Sequence, residues 1–180
     1  DIINSECQLC WIADAGTNDI DDCAKIKDNG MDIIITDHHD VLCDNPYAVV
    51  VNNQLGNVNK ALSGTGVTYQ LIKAYNENTV DEYQYMDLVA LSIVSDVCDL
   101  QSYENRAFVH YGLNNITNPF IELLFDKECK QRGRTPEAIG WCIAPLANAL
   151  ARMDNQDAKR LFFDALIGCI DAEEALKKMK

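Results

Sequence analysis

The chain has 180 residues, of which 48% are hydrophobic and 24% charged, and its 15 basic and 28 acidic side chains give a net charge of −13. This composition excludes a disordered or collagen-like chain, since those are poorer in large apolar residues or far richer in glycine and proline. No apolar run approaches the ~20 residues of a membrane span, so no membrane partner is expected. A polyanionic substrate would need divalent cations or a local basic patch to bind this acidic chain.

Eight cysteines are scattered along the sequence. Cys7 and Cys10 form a Cys-x-x-Cys pair, but no second Cys or His pair at short spacing follows, which disfavours a structural zinc site. The beginning of the sequence does not resemble a secretory signal. The pattern therefore favours free, mostly buried thiols and a cytoplasmic location.

The first part of the chain alternates between predicted strands and helices. Strands are predicted over residues 10–13, 31–36 and 47–51, with a helix over 20–27. The β-branched run at 31–36 is typical of a strand buried on both faces of a parallel sheet. We therefore expect an α/β fold in which helices flank a parallel sheet and ligands bind at the carboxyl ends of the strands.

The rest of the chain is predicted to be mainly helical. The predicted helices cover residues 64–75, 82–94, 104–116, 119–127, 135–152, 156–166 and 171–180. Thr135 followed by Pro136 is a favourable helix start. We expect an α/β metal-binding domain over residues 1–100, followed by a helical extension over 101–180 that leads towards a second domain.

Acidic and imidazole side chains follow three of the predicted elements. They are Asp14, the triplet Asp37-His38-His39, and Asp96 at the end of an apolar helix. The two strand-end groups lie at one edge of the sheet and can converge, and Asp96 is a third candidate. Mixed carboxylate and imidazole ligands suit Mn²⁺, Mg²⁺ or iron, and a pair of such ions can promote phosphoryl displacement.

Each of these residues also has an ordinary structural interpretation. Asp14 would serve equally well as a helix cap, adjacent histidines are often a solvated pair, and Asp96 could be a surface residue. However, His38 and His39 are two of only three histidines in the sequence, and both lie at one strand end between two aspartates. That concentration favours the metal site.

The segment Thr36-Asp37-His38-His39 resembles the signature of the DHH phosphoesterase superfamily, and Asp14-Ala15-Gly16 resembles its preceding aspartate motif. Residues 63–67 and 87–97 resemble later motifs, and residues 104–106 and 139–153 are similar to RecJ-type single-strand-specific exonucleases. The resemblance covers nearly the whole chain in family order.

This resemblance implies a phosphodiesterase that uses Mn²⁺ or Mg²⁺ and acts as a 5′-to-3′ exonuclease on single-stranded nucleic acid, preferably DNA. Two alternatives stay open. One is a DHH phosphoesterase that acts on short oligonucleotides or cyclic dinucleotides. The other is an inactive scaffold in a replication or repair complex.

The resemblance also implies individual roles. Asp14, His38 and Asp96 would bind metal. His39 would contact the scissile phosphate, and Asp37 would orient the imidazoles. The implied substrate contacts are Ser63, Gly64, Arg106, Asn148 and Arg152.

Two departures from the family pattern are expected to affect the metal site and phosphate binding. The family's first aspartate-rich motif would lie before Asp1, and its second domain and nucleic-acid-binding barrel would lie after Lys180. We therefore expect a core fragment that cannot assemble a complete two-metal site by itself. Leu146 and Ala151 replace the arginine and glycine that are usual in the family's helical phosphate-binding segment, which predicts weaker phosphate binding.

Overall fold

The computed structural model describes residues 6–56, 59–76, 81, 83–152 and 154–179. The chain packs as two compact units. The first consists of Asp1–Glu82 with Cys98–Asn105, and the second of Tyr83–Val97 with Arg106–Lys180. Among the described residues, every helix is too short or too polar to cross a membrane.

The first unit is built on a parallel sheet of three described strands, in the order β1 (Leu9–Ala13), β2 (Asp32–Asp37) and β3 (Val49–Asn52). Helix α1 (Ile20–Asp28) connects β1 to β2, and a short 3₁₀ turn, Asn53–Leu55, follows β3. Helix α2 (Gly64–Tyr75) has the bounds that the sequence predicted. The predicted α/β fold is confirmed.

Strand β2 is the centre of this unit because both of its faces are covered. On one face, Ile33 and Ile35 pack against Cys23 of α1, and all three are almost fully buried. On the other face, the Thr36 hydroxyl is hydrogen-bonded to the Thr68 hydroxyl of α2 at 2.8 Å. Because successive side chains of a strand alternate between faces, α1 and α2 lie on opposite sides of the sheet. This arrangement explains the continuous β-branched run.

Asn105 joins two distant segments of the first unit. Its fully buried side chain donates to the carbonyl oxygens of Ala61 and Asp99, at 2.8 and 3.0 Å, and accepts a hydrogen bond from the Asn59 amide at 2.7 Å. A buried amide with all these partners fixes its surroundings strongly. Asn105 therefore has a structural role within the motif at 104–106.

The second unit contains the predicted helical series. Its helices are α3 (Met86–Ser95), the greater part of α4 (Tyr103–Asn114), α5 (Pro119–Glu128), α6 (Pro136–Ala138), α7 (Ala144–Arg152), α8 (Gln156–Leu166) and α9 (Ala172–Met179). Helix α3 begins four residues later than predicted. Tyr85 precedes it in the left-handed region, with φ of 69°, so the helix cannot extend back through this residue. Glu82, where the prediction began, lies outside the described residues.

Asp87 connects the start of α3 to the start of α5. Its buried carboxylate accepts hydrogen bonds from the backbone N–H groups of Thr117 and Asn118, at 2.8 and 2.7 Å. The Asn118 side chain in turn caps α5 by accepting from the N–H groups of Phe120 and Ile121. Asp87 is therefore a structural carboxylate, although it lies in a segment that resembles a metal motif.

The helix predicted over 135–152 is interrupted by a π-helical turn, Ile139–Ile143. The predicted start is confirmed, because the Thr135 hydroxyl accepts from the Ala138 N–H at 3.2 Å. Pro145 lacks an N–H group, and its ring would collide with the carbonyl of Trp141 in a regular α-helix. The extra residue of a π-turn relieves this collision.

All eight cysteines are free thiols in the structure. Only Cys10, Cys23 and Cys129 are buried, so the prediction of mostly buried thiols is wrong. Burial and the neighbouring Cys142 thiol raise the pKa of Cys129 to about 12, which keeps it protonated near neutral pH.

The left-handed backbone conformation of Val97, at the end of α3, can be tested by mutation. It is 88% exposed and has a φ of 54°, a conformation that is unfavourable for a β-branched residue and typical of glycine after a helix. We predict that Val97→Gly raises the free energy of unfolding by about 1 kcal/mol in urea denaturation. Ser95→Gly, within the right-handed helix, is the control and should lower it by about 0.5 kcal/mol. Equal destabilisation by both changes would contradict the assigned strain.

Candidate metal centre

The carboxyl ends of β1 and β2 bring Asp14, His38 and His39 together. Ala13 and Thr36 are partners in the parallel register, so the residues that follow them leave the sheet side by side. The Asp14 backbone N–H donates to the Thr36 carbonyl at 2.8 Å. One potential ligand atom from each of Asp14, His38 and His39 lies within 4.8 Å of the others. This is the convergence that the sequence predicted for these three residues.

The donor atoms of this cluster suit a divalent transition metal. His38 Nε2 lies 3.2 Å from an Asp14 carboxylate oxygen, and the His38 and His39 ring centroids are 4.6 Å apart. The Asp14 side chain is 57% exposed, so solvent and ligands reach the cluster. One carboxylate with two imidazoles fits Mn²⁺ better than Mg²⁺, which prefers oxygen ligands.

Asp37 is the buried carboxylate beneath this cluster. It is 1% exposed and accepts five hydrogen bonds. One carboxylate oxygen accepts from the Thr17 N–H and hydroxyl, at 3.2 and 2.7 Å. The other accepts from the His38 N–H at 2.8 Å, and from the His39 N–H and Nδ1 at 3.3 and 2.7 Å. Burial alone would raise the pKa of Asp37, but the Thr17 and His39 hydrogen bonds outweigh it and hold this pKa well below its ordinary value.

Asp37 also determines the state of the His39 ring. Because an ionised carboxylate can only accept, the proton between the two groups belongs to His39 Nδ1. This leaves Nε2 on the opposite side of a ring that is 60% exposed. Asp37 binds His38 through its backbone N–H. Asp37 therefore contacts the ring of His39 but only the backbone of His38, and its role in orienting both imidazoles stays a prediction.

Three further polar residues support the cluster, and sequence reasoning did not assign them a role. The Asn52 side chain donates to the Thr17 hydroxyl at 3.1 Å and to the His39 carbonyl at 3.0 Å. Gln54 donates to the His38 carbonyl at 3.2 Å. The position of Asn52 at the end of β3 was the available signal, because it is the register partner of Asp37.

The start of α2 lies against the cluster. A Cβ atom at Gly64 would collide with the Asp14 carboxylate and would lie 2.8 Å from its Cγ, so only glycine fits there. Ser63 is fully buried, and its hydroxyl oxygen accepts from the Gly66 N–H at 3.3 Å as the helix cap. The first turn of a helix attracts anions through its N–H groups and dipole. This places an anion-attracting helix end beside Asp14.

The remaining predicted site residues belong to the second unit. Asp96 is exposed at the carboxyl end of α3, and Arg106 is exposed on α4. Asn148 and Arg152 are both exposed on α7, four residues apart and therefore on one helical face. Their roles in metal or substrate binding stay predictions.

Replacement of Thr17 tests how strongly Asp37 depends on its donors. Thr17→Val removes the hydroxyl that donates to the buried carboxylate, and we predict a loss of about 2 kcal/mol in the free energy of unfolding. Thr17→Ser retains the hydroxyl and should lose less than half as much. Urea denaturation of both variants measures the difference, and equal losses would contradict the assigned hydrogen bond.

Comparison with known proteins places the chain in a family. Residues 2–93 match the model described as "DHH family, N-terminal domain". The SPbeta prophage-derived protein YorK of Bacillus subtilis (strain 168), named for single-strand DNA-specific exonuclease activity, is 33% identical over 165 residues. The match covers 88% of this chain and 29% of YorK. The single-stranded-DNA-specific exonuclease RecJ of Haemophilus influenzae is 30% identical over 170 residues, which cover 82% of this chain and 29% of RecJ.

A solved structure agrees with these matches. The crystal structure of RecJ from Thermus thermophilus in complex with Mn²⁺ matches with a TM-score of 0.80 and 27% identity, over 93% of this chain and 26% of that one. The chain thus spans less than a third of the length of these relatives. With the family signature at the ends of its strands, this chain belongs to the DHH family.

Proposed function

We propose that this chain forms the metal-binding part of a phosphodiesterase that degrades single-stranded DNA from a 5′ end with Mn²⁺ or Mg²⁺. The observation that carries the proposal is the cluster of Asp14, His38 and His39, with ligand atoms within 4.8 Å at the carboxyl edge of a parallel sheet. The names of YorK and RecJ support the substrate class, and the manganese-bound RecJ supports the metal. The 5′ polarity is proposed from the resemblance of the motifs.

Asp14 and His38 are the proposed metal ligands within the first unit, because their donor atoms are 3.2 Å apart and reachable from solvent. Asp96 is proposed as a further ligand on its sequence motif alone. Bound divalent ions supply charge neutralisation and a water molecule of lowered pKa. The other steps that we propose depend on the protein's own side chains.

His39 is proposed to contact the scissile phosphate. Asp37 holds the ring through Nδ1, so the exposed Nε2 is the atom that can meet a phosphate oxygen. A protonated ring would stabilise the developing negative charge or donate a proton to the leaving oxygen. The Asp37 carboxylate would stabilise the positive charge of that ring. We therefore assign His39 to catalysis and Asp37 to its positioning.

Substrate binding is proposed to use groups that attract phosphate. The Ser63-Gly64 turn places the first N–H groups of α2 near Asp14, and it would bind a phosphate of the strand. The exposed Asn148 and Arg152 side chains share a face of α7 and would contact the nucleic-acid backbone. Arg106 is proposed as a further cationic contact. With a net charge of −13, the chain needs such local contacts to retain a polyanion.

The reducing cytoplasm is the proposed compartment. All eight cysteines are free, and Cys7, Cys43 and Cys169 are exposed. Exposed thiols persist where glutathione and thioredoxin keep them reduced.

Removal of the His39 ring tests the proposed mechanism. In the full protein, His39→Ala should lower the rate of hydrolysis of a 5′-labelled single-stranded oligodeoxynucleotide with Mn²⁺ by at least ~100-fold. The variant should still fold, but its thermal unfolding midpoint should fall by a few degrees, because the buried Asp37 carboxylate loses the Nδ1 hydrogen bond and keeps its four others. His110→Ala, which removes the exposed third histidine of the sequence, is the matched control and should retain the wild-type rate.

The same assay separates the alternatives. Cleavage of long single strands by the wild type, lost in His39→Ala, supports the proposal. Cleavage restricted to dinucleotides would instead show a small-substrate phosphoesterase, and a wild-type protein without hydrolysis would show a scaffold. An unchanged rate in His39→Ala would remove this residue from the mechanism.

A further inference from the structure

Positive charge is concentrated in one short segment of this acidic chain. Residues 127–134 contain four of the 15 basic side chains and one of the 28 acidic ones. The segment therefore carries a net charge of +3 in a chain of −13. It begins at the end of α5 and ends just before α6. This local reversal of charge has no part in the proposed metal centre.

The segment borders a cleft in the second unit. A cavity of about 600 Å³ is lined by Lys127, Lys130 and Arg134, together with the apolar side chains of Leu123 and Phe125. A smaller cavity of about 210 Å³ shares some of these residues and adds Leu176 and Lys177 of α9. We call the two together the basic cleft, defined by its four cationic residues, Lys127, Lys130, Arg134 and Lys177.

The lysines of the basic cleft differ from several other basic residues of the chain because they form no ion pair with a carboxylate of the described residues. Lys25, Lys27 and Lys178 each lie within 2.7 Å of a carboxylate oxygen. Arg134 is similarly held by Glu122 at 2.7 Å. Within the described residues, the structure pairs none of Lys127, Lys130 and Lys177 with a carboxylate. Their ammonium groups can therefore bind an external anion without breaking an internal ion pair.

We propose that the basic cleft binds a nucleotide segment of single-stranded nucleic acid through its phosphates. Ammonium groups bind phosphate oxygens, and the partly exposed apolar side chain of Leu123 can contact a base. A cavity of about 600 Å³ is in the range of small-molecule sites and large enough for one nucleotide. The inference rests on the proposed function for its substrate class, but the lysines supply the charge and this contact needs no divalent metal.

Two acidic residues limit the extent of this contact. Asp126 and Glu173 also line the cleft. A long strand in the cleft would bring phosphates beside these carboxylates, where repulsion opposes binding. We therefore expect one or two phosphates to be neutralised, rather than a continuous track.

A charge-reversal experiment tests the basic cleft. Binding of fluorescein-labelled dT12 to the whole chain is measured by fluorescence anisotropy in EDTA, over a range of NaCl concentrations. The variant K127E/K130E should raise the Kd at least ~10-fold at low salt. If two phosphate contacts are lost, the slope of log K against log[NaCl] should become shallower by about 1.4.

Two controls isolate the cleft from general effects. K159E/R160E makes the same change of charge on α8, at two residues that do not line the cleft, and should change the Kd less than ~2-fold. The second control is the metal-free condition itself: the wild-type chain should bind dT12 in EDTA, because no metal takes part in this contact. If only the proposed function is wrong, the wild-type chain will bind dT12 through the cleft but the protein will show no hydrolysis.

The outcomes decide the proposal. Wild-type affinity in K127E/K130E, or an equal loss in K159E/R160E, would overturn it. Displacement of dT12 by millimolar inorganic phosphate, beyond the effect of chloride at equal ionic strength, would show a site for free phosphate and also overturn the strand assignment. If K127E/K130E has an altered circular dichroism spectrum, K127A/K130A replaces it, with an expected Kd increase of at least ~3-fold; an unchanged Kd would again overturn the proposal.

Discussion

The buried carboxylate of Asp37 is the group on which the candidate site depends. A charge removed from water is costly unless hydrogen bonds compensate for it. Here five donors converge on it, from Thr17 on the loop before α1 and from the two histidines after β2. The carboxylate thus fixes the two loops to each other and sets the His39 ring at the same time. The contacts that build the site are the same ones that offset the cost of burying Asp37.

Further contacts around Asp37 position the other residues at the carboxyl edge of the sheet. Asn52 of β3 binds both Thr17 and the His39 carbonyl, so β3 joins the loop before α1 and the segment after β2 in one network. The absence of a Cβ at Gly64 lets the start of α2 approach Asp14 closely. Asp14 itself has a φ of 63°, a conformation that is uncommon outside glycine and that occurs often at functional sites. A precise arrangement of this kind is what a metal ligand set requires.

Much of the fold could be predicted from the sequence, because the signals are local. The β-branched run of β2 and the start of α2 after Ser63 depend on neighbouring residues alone. The convergence of Asp14 with His38 and His39 followed from a rule about parallel strands. The roles of Thr17 and Asn52 could not be predicted, since they depend on register between segments 20 to 35 residues apart. The π-turn before Pro145 and the left-handed conformation of Tyr85 could not be predicted either, because each depends on how the helix backbone avoids a steric conflict.

We propose that the ends of β1 and β2 form a divalent metal site. The most direct test is anomalous diffraction at the manganese absorption edge from crystals of the chain soaked in Mn²⁺. We expect an anomalous peak in contact with the Asp14 carboxylate and His38 Nε2, and we expect its loss in His38→Ala crystals soaked in the same way. Manganese bound only elsewhere on the protein, or a peak that persists at this position without the His38 ring, would contradict it.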